Sequence, residues 1–564
     1  MTLPELLQTA FSRYPKSVAL RWRTAAWREM TYAEVAAQVK SAAKGLLALG
    51  VAPGDRVAIL SGSRPEWVTC DIAIQSVGAI AVPLYSTSSV AAARFILNHC
   101  GAKVLFTSQA CANLAREAMA PGQLPVSFDT DGLTFERLQA QGAAISDEEV
   151  EARRKGIRED DVAAIIYTSG TTGDPKGVML THANLVSNIE AATKLFDVRP
   201  GDRALSFLPL SHALERTGGV LAMLSKGAAV SFAEDATTIA RDLTEVRPTI
   251  LITVPRMLEK FQARVMEVVE EKPKWLRRLF AKAMESGGRG VLSPIYEVLF
   301  FYRIRRGFGG HTRFVVSGGA ALVPEIARFF LTAGVTLLEG YGLTETSPIV
   351  TVNPERKNKV GTVGPPLGGV EVGIAEDGEI LVRGPNVMKG YFKDPSATAE
   401  AIDSDGWFHT GDVGELDADG YLKITDRKKD IIITSGGKKV APQPIENELK
   451  SDPLVNQACL VGEKRNYVAI LIVPNFEALE SKAHKAKLRF SGREELLKHG
   501  CVRAWFEEIV ARVNSNRAQY ETIKRFRLMS REWTIDVGEL TPTMKVRRRT
   551  IFERYRDEIE EMYR

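Results

Sequence analysis

Short apolar runs recur along the first two thirds of the chain, at Val57–Leu60, Val104–Phe106, Ala163–Tyr167, Ile250–Val254, Phe314–Val316 and Thr336–Leu338. Amphipathic stretches such as Tyr32 to Leu47 lie between them. The runs have the length of buried strands and the stretches carry helical spacing, so the alternation predicts α/β architecture. After about residue 350 the pattern changes. Asp-Gly turns now feed short strand-like runs, Asp377-Gly378-Glu379-Ile380-Leu381-Val382 and Asp419-Gly420-Tyr421-Leu422-Lys423-Ile424, the mark of a small β subdomain. A charge-dense stretch, Asp426-Arg427-Lys428-Lys429-Asp430, comes next. The roughly 130 residues beyond it have their own mixed strand and helix pattern, enough for a separate domain. The main boundary therefore falls at 426–430, between a large N-terminal domain (1–425) and a small α+β C-terminal one (431–564) that ends in an amphipathic run, Thr550 to Tyr563.

Composition narrows the function classes. At 564 residues the chain exceeds a single core, and 45% hydrophobic with 25% charged residues is ordinary for a globular protein. A net charge of +5 is too slight at this size to argue for nucleic acid, while small acidic or phosphorylated ligands stay open. Five cysteines (Cys70, Cys100, Cys111, Cys459, Cys501) include no C-x-x-C pair, so neither a zinc site nor a disulfide framework is expected. A reducing, cytoplasmic setting fits. The N-terminus has no secretory pattern, and the most apolar long stretch, Trp67 to Tyr85, is broken by Asp71 and Gln75, so no membrane span is expected.

The densest chemistry lies at 167–182, Tyr-Thr-Ser-Gly-Thr-Thr-Gly-Asp-Pro-Lys-Gly-Val-Met-Leu-Thr-His. Directly after an apolar strand, this loop supplies hydroxyls (Thr168, Ser169, Thr171, Thr172), glycines (Gly170, Gly173, Gly177) and one cation, Lys176. Glycines let the backbone approach an anion, and hydroxyls and amides donate to it. The spacing is not that of a Walker loop. No Gly-x-Ser-x-Gly elbow is present either, which leaves serine hydrolysis unsupported.

Four further motifs follow in order: Gly340-Tyr341-Gly342-Leu343-Thr344-Glu345-Thr346, Thr410-Gly411-Asp412, Asp426-Arg427-Lys428-Lys429-Asp430 and Pro542-Thr543-Met544-Lys545. Each has a plain structural reading by itself, a core aromatic, a turn or a solvated charge run. Their order is what singles them out. Together they resemble the adenylate-forming superfamily of acyl-CoA synthetases, adenylation domains and firefly luciferase, over essentially the whole length. Within it the chain is most similar to long-chain fatty acyl-CoA synthetases, on Leu208-Pro-Leu-Ser-His-Ala-Leu-Glu-Arg-Thr217, Val254-Pro-Arg-Met-Leu-Glu-Lys260, Ser317-Gly-Gly-Ala-Ala-Leu322 and Ser435-Gly-Gly-Lys-Lys-Val-Ala-Pro442.

The resemblance implies a medium- to long-chain fatty acid activated by ATP as acyl-AMP, with release of pyrophosphate, and then transferred to coenzyme A. In this reading the loop Thr168 to Lys176 cradles the β- and γ-phosphates, Thr344 contacts the α-phosphate and Glu345 ligates Mg²⁺. Tyr341 lies against adenine within Gly340–Gly342, with Gly318, Gly319 and Ala320 on the other side. Asp412 and Arg427 take the ribose hydroxyls, His212 lies near the carboxylate of the acid, and Lys545 bridges carboxylate and α-phosphate. Two anionic reactants need cations between them. The family then swings its C-terminal domain about a hinge, which Lys429 matches, and brings Ser435, Gly436 and Gly437 to a pantetheine tunnel. The neighbourhoods 254–257 and 218–224 are where the acyl tunnel is expected.

The basic stretch 272–306, with Trp275, Phe280, Phe300 and Phe301, has two readings, an amphipathic surface for the inner face of a membrane or a helical hairpin packed on the main domain. A fatty acyl-AMP ligase that loads a carrier protein, and a non-catalytic acyl-AMP or ATP sensor, remain alternative functions. The oligomeric state is open, a homodimer being one option.

Overall fold

The computed structural model describes residues 1–129, 132–168, 175–515, 517–535, 537–541 and 545–564. Ser169, Gly170, Thr171, Thr172 and Gly173 of the expected phosphate loop, and Pro542 to Met544, lie outside the described residues.

Two large sheets dominate the N-terminal part. The first runs in spatial order 390–391, 176–181, 162–168, 80–84, 56–60, 104–107 and 124–127; its last five strands are parallel, and 176–181 turns antiparallel against 162–168. The second has eight strands, in the order 349–352, 337–342, 314–317, 250–253, 203–206, 229–232, 18–23 and 27–31, parallel except at its two edges. One continuous apolar core, drawn from both sheets and from helices 32–48, 65–76 and 182–195, lies between them. Separate clusters cover the outer faces. Strands buried on both faces explain the unbroken apolar runs of the sequence.

The turn-rich stretch after residue 350 forms a four-stranded antiparallel sheet, 371–374, 379–383, 408–416 and 422–427. The expected linker 426–430 is divided: Asp426 and Arg427 belong to the last strand of this sheet, opposite Val413 and Asp412, and the turn itself is 428–430. Beyond it come a two-stranded hairpin, 432–433 with 439–440, and a three-stranded sheet with a separate apolar core that takes in helices 442–450 and 500–514. The α/β expectation, with a large N-terminal and a smaller C-terminal domain, holds.

Local capping places one element that the site depends on. Helix 182–195 starts at Thr181, whose hydroxyl accepts the Asn184 N–H at 3.1 Å while Asn184 Oδ1 accepts the Thr181 N–H at 2.8 Å. The Asn184 amide then donates to the carbonyls of Pro385 and Val387, at 2.8 and 2.9 Å. Thus a helix cap on one sheet fixes the segment that leads to Tyr391.

Among the described residues no helix is long and apolar enough to cross a membrane. The cysteines are free, four buried and Cys501 exposed.

Candidate functional site

The carboxyl ends of the parallel strands open into a continuous cavity of about 3110 Å³ between the N-terminal sheets and the C-terminal domain, the usual place for a ligand in an open α/β sheet. Thr168, Lys176, His212, Gly318, Gly319, Ala320, Gly340, Tyr341, Gly342, Thr344, Glu345, Asp412, Arg427, Lys429 and Lys545 all line it. Residues separated by nearly 380 positions in sequence therefore share one chamber. Ser435, Gly436 and Gly437 do not: they form the exposed turn of hairpin 432–440, away from the cavity wall.

Lys176 stands opposite Thr168, at the end of the strand pair 162–168 and 176–181. Its ammonium sits 4.9 Å from the centre of the Tyr391 ring, and the Tyr391 hydroxyl donates to Glu345 Oε1 at 3.1 Å. The Glu345 carbonyl is fixed by the Met388 N–H at 2.8 Å. Burial raises the Glu345 carboxyl above the usual range, which the Tyr391 hydrogen bond and the charge of Arg427 only partly offset. A neighbouring cation would favour its ionised form. No cluster of three or more His, Cys, Asp or Glu suited to a metal occurs among the described residues, so a metal here would rest on Glu345 and on ligand oxygens, an arrangement that suits Mg²⁺.

Asp412 is gripped from two sides. The Tyr341 hydroxyl donates to Oδ2 at 2.6 Å, and Arg427 Nε lies 3.1 Å from Oδ1. The pairing of strands 408–416 and 422–427 sets Asp412 directly against Arg427. Two glycines serve packing. A Cβ on Gly342 would lie 1.7 Å from the Pro348 carbonyl oxygen, and one on Gly177 would press on Ile165 and Tyr167 at 2.9 and 3.1 Å. Gly177 thus makes room for its own strand pair.

His212 follows the Pro209–Ser211 corner, and its Nδ1 accepts the Leu214 N–H at 3.2 Å. That leaves Nε2 to carry the proton. Burial, with Lys545 adding, lowers its pKa to about 4, so the ring is a neutral donor at pH 7. Next to it the chain forms a π-helix, Leu214–Leu221. Arg216 on this segment makes a two-pronged ion pair with Asp71, 2.9 Å to each oxygen, both side chains 1% exposed. The pair ties the segment to helix 65–76, while Leu214, Gly218, Ala222 and Met223 form cavity wall together with Val254, Pro255 and Arg256. π-turns of this kind are common at functional sites.

Lys545 is exposed to the cavity yet surrounded by protein. That crowding, with repulsion from Arg427 and partial relief from Asp412 and Glu345, lowers its pKa to about 8. The C-terminal domain therefore stands closed over the site. Arg256 reaches across to Asn456 at 3.0 Å.

Several groups at the site were not singled out from the sequence. Tyr391 lies in a two-residue edge strand, 390–391, that no local pattern marks. Glu339, one residue before the Gly340 motif, is buried, leaves Oε1 without a partner and has its pKa pushed by burial to about 8. It is in register with Ser317 and, through it, with Thr253, both also buried with an unpartnered hydroxyl. An acid directly after the apolar run at 335–338, with no turn between, was the available signal. Glu379 and Lys428 stand out in the sequence only as parts of an Asp-Gly turn run and a charge run.

The model of the AMP-binding enzyme family matches residues 7–392, and that of the AMP-binding enzyme C-terminal domain matches 429–564. The chain belongs to the AMP-binding enzyme family. Among relatives of this AMP-binding enzyme, the long-chain-fatty-acid–CoA ligase FadD15 of Mycobacterium bovis is 39% identical over 560 residues, covering 95% of this chain and 92% of the relative. Long chain acyl-CoA synthetase 6, peroxisomal, of Arabidopsis thaliana is 33% identical, covering 95% and 82%. The crystal structure of ATP-bound MatB from Rhodopseudomonas palustris superposes with a TM-score of 0.73 at 25% identity, over 99% of this chain and 100% of that one.

Proposed function

We propose that this AMP-binding enzyme is a long-chain fatty acid–CoA ligase working in two half-reactions in one cavity. The observation that carries the reading is the arrival of Lys545, from the C-terminal domain, in the chamber that already holds Lys176, Glu345, Asp412 and Arg427. In the first half-reaction a carboxylate oxygen of the acid attacks the α-phosphorus of ATP, the bond to the β-phosphate oxygen breaks, and pyrophosphate leaves. Lys545 lies between the two anions and stabilises the charge that accumulates as they meet. His212 offers its Nε2–H to the acid, Thr344 contacts the α-phosphate, and Lys176 with Thr168 and the following loop holds the leaving phosphates. Tyr341 and the Gly318–Ala320 edge flank adenine, and Asp412 with Arg427 receives the ribose hydroxyls. Glu339 lines the same cavity. Glu345 would hold Mg²⁺, which when bound neutralises charge on the phosphates.

In the second half-reaction the thiolate sulfur of CoA attacks the acyl carbonyl carbon and AMP departs with the bonding pair. With Lys545 over the site this attack is blocked, so the C-terminal domain turns about Lys429, withdrawing Lys545 and bringing Ser435, Gly436 and Gly437 to the channel. The enzyme works in the cytoplasm. A panel of fatty acids assayed for pyrophosphate release and CoA consumption tests the reading; long-chain acids are expected to support both, and pyrophosphate release without CoA consumption would favour carrier-protein loading.

The stretch 272–306 brings the enzyme to a membrane surface. It holds nine Lys or Arg against two Glu, net +7, which leaves the rest of the chain at −2. Its aromatic residues divide: Phe280, Phe300 and Phe301 pack inward, so they are not the membrane face, whereas Trp275 is 64% exposed. Along the continuous helix 293–307, Ile295, Val298 and Tyr302 recur at helical spacing on the exposed side, with Val291 just before them. A helix apolar on both faces has one face for the core and one for another apolar phase. An anionic bilayer, where free fatty acid resides, matches both that face and the charge.

A further inference from the structure

Glu379 opens the second strand of the four-stranded sheet and is only 6% exposed. Both of its oxygens are engaged. Oε1 accepts the Gly411 N–H at 2.8 Å, next to Asp412. Oε2 lies 2.9 Å from the Lys428 ammonium and 3.2 Å from His409 Nδ1. Lys428 has a second acid partner, Asp377, at 2.5 Å, and its own N–H donates to the Gly411 carbonyl at 2.8 Å. His409 also faces Asp403 at 3.5 Å through Nε2. Gly411 is thereby held at its N–H by Glu379 and at its carbonyl by Lys428, in a left-handed conformation (φ 72°) that glycine adopts freely.

We propose that Glu379 is a positioning residue that locks Lys428, and with it the first half of the linker, to the ribose-side segment Thr410–Asp412, so that domain rotation begins after Lys428. The proposal rests on the two-step reading above and adds to it a fixed end for the pivot. Arg427, which pairs with Asp412, stays with the N-terminal sheet, and only Lys429 and the residues beyond it are left to turn. Burial alone would push the Glu379 carboxyl up, but donation from Lys428, Gly411 and His409 outweighs it and leaves the group below the usual range, while its two acid partners raise Lys428. The clamp is consequently charged on both sides throughout the neutral range.

The test compares Glu379→Gln, Lys428→Met and the double variant in the full-length enzyme. Glutamine keeps one oxygen for Gly411 and turns an amide nitrogen toward Lys428, so the ribose side survives and Lys428 loses its buried acid partner, keeping only the exposed Asp377. Expected is a roughly tenfold lower kcat for acyl-AMP formation, as misplacement of Lys545 would give, with ATP KM changed by less than about twofold. The double variant should be no worse than Lys428→Met alone, because that variant already lacks the Lys428–Glu379 contact. Lys428→Arg should restore most of the rate. A rise in ATP KM with unchanged kcat, or losses that multiply in the double variant, would overturn the proposal. Lys428 is 47% exposed and carries the kinetic test even if Glu379→Gln fails to fold. A readout independent of turnover separates this inference from the ligase reading: trypsin should cut Glu379→Gln after Lys428 faster than wild type without added cleavage elsewhere, since a released segment opens locally. An unchanged cutting rate at that bond would sink the clamp whatever acid the enzyme activates.

Discussion

Replacing Lys545 with alanine removes an ammonium that the closed domain holds against Glu345, Asp412 and Arg427. In the cavity its pKa is about 8 against an ordinary value of 10.5, because protein crowds it and Arg427 repels it. At pH 7, one unit below that pKa, the charged form still prevails by about tenfold. A contact of this type, made to charge that develops in the transition state, is worth about 10²–10³ in rate, and Lys545→Ala should lose that much in acyl-AMP formation. Transfer from supplied acyl-AMP to CoA should be nearly unaffected, since in the proposed rotation the lysine has left by then. The sign of the pH effect follows from the lowered pKa: the active form is the protonated one, so kcat/KM for adenylation is flat below pH 8 and falls about tenfold per unit above it. In the ternary complex two anions favour the ammonium, so the limb in kcat should lie at higher pH. Pyrophosphate release and acyl-CoA formation, each followed from pH 6.5 to 9.5 (about three units, enough to define one limb), give the comparison. Equal loss in both half-reactions, or an alkaline limb that survives in Lys545→Ala, would refute the reasoning.

Glu345→Gln keeps the shape and the Tyr391 contact but removes charge, so the Mg²⁺ concentration needed for half-maximal adenylation should rise; an unchanged requirement would place the ion elsewhere. Lys429→Pro fixes φ near −65° in the turn after Lys428, and if it freezes the closed domain, acyl-AMP accumulates while CoA consumption nearly stops. Normal thioester synthesis by a folded Lys429→Pro variant would remove that residue as the pivot. Val298→Glu on the exposed face of helix 293–307 should weaken sedimentation with phosphatidylglycerol vesicles roughly tenfold and leave activity on detergent-dispersed acid unchanged, whereas unchanged vesicle binding would count against membrane contact there.

The fold was legible where burial makes sequence simple. Strands covered on both faces, such as 57–60 and 163–167, read as unbroken apolar runs, and the Asp-Gly turns at 377 and 419 announced the antiparallel sheet. The linker was legible only as a charge run, because nothing local tells that Arg427 is paired in a sheet while Lys428 begins a turn; that depends on Asp412 and Gly411. The candidate residues that line the cavity were legible as motifs since each group carries conspicuous chemistry on a short segment. Their supports were not. Tyr391, Glu379 and the Asp71–Arg216 pair act through partners that lie 46, 32 and 145 positions away, and no spacing rule spans such distances. The aromatic residues of 272–306 show the same limit. Sequence marks Phe280, Phe300 and Trp275 as equally apolar, and only packing against helix 324–332 decides that the first two face inward.

The central claim is that one cavity joins a long-chain acid to CoA by way of an acyl-adenylate. The most direct measurement is product stoichiometry by mass spectrometry, from purified enzyme given a saturated long-chain acid, ATP, Mg²⁺ and CoA. The account predicts AMP, pyrophosphate and acyl-CoA in equal amounts, with acyl-AMP and pyrophosphate alone when CoA is withheld. Formation of ADP and phosphate, or acyl-AMP that persists while CoA stays unconsumed, would contradict it.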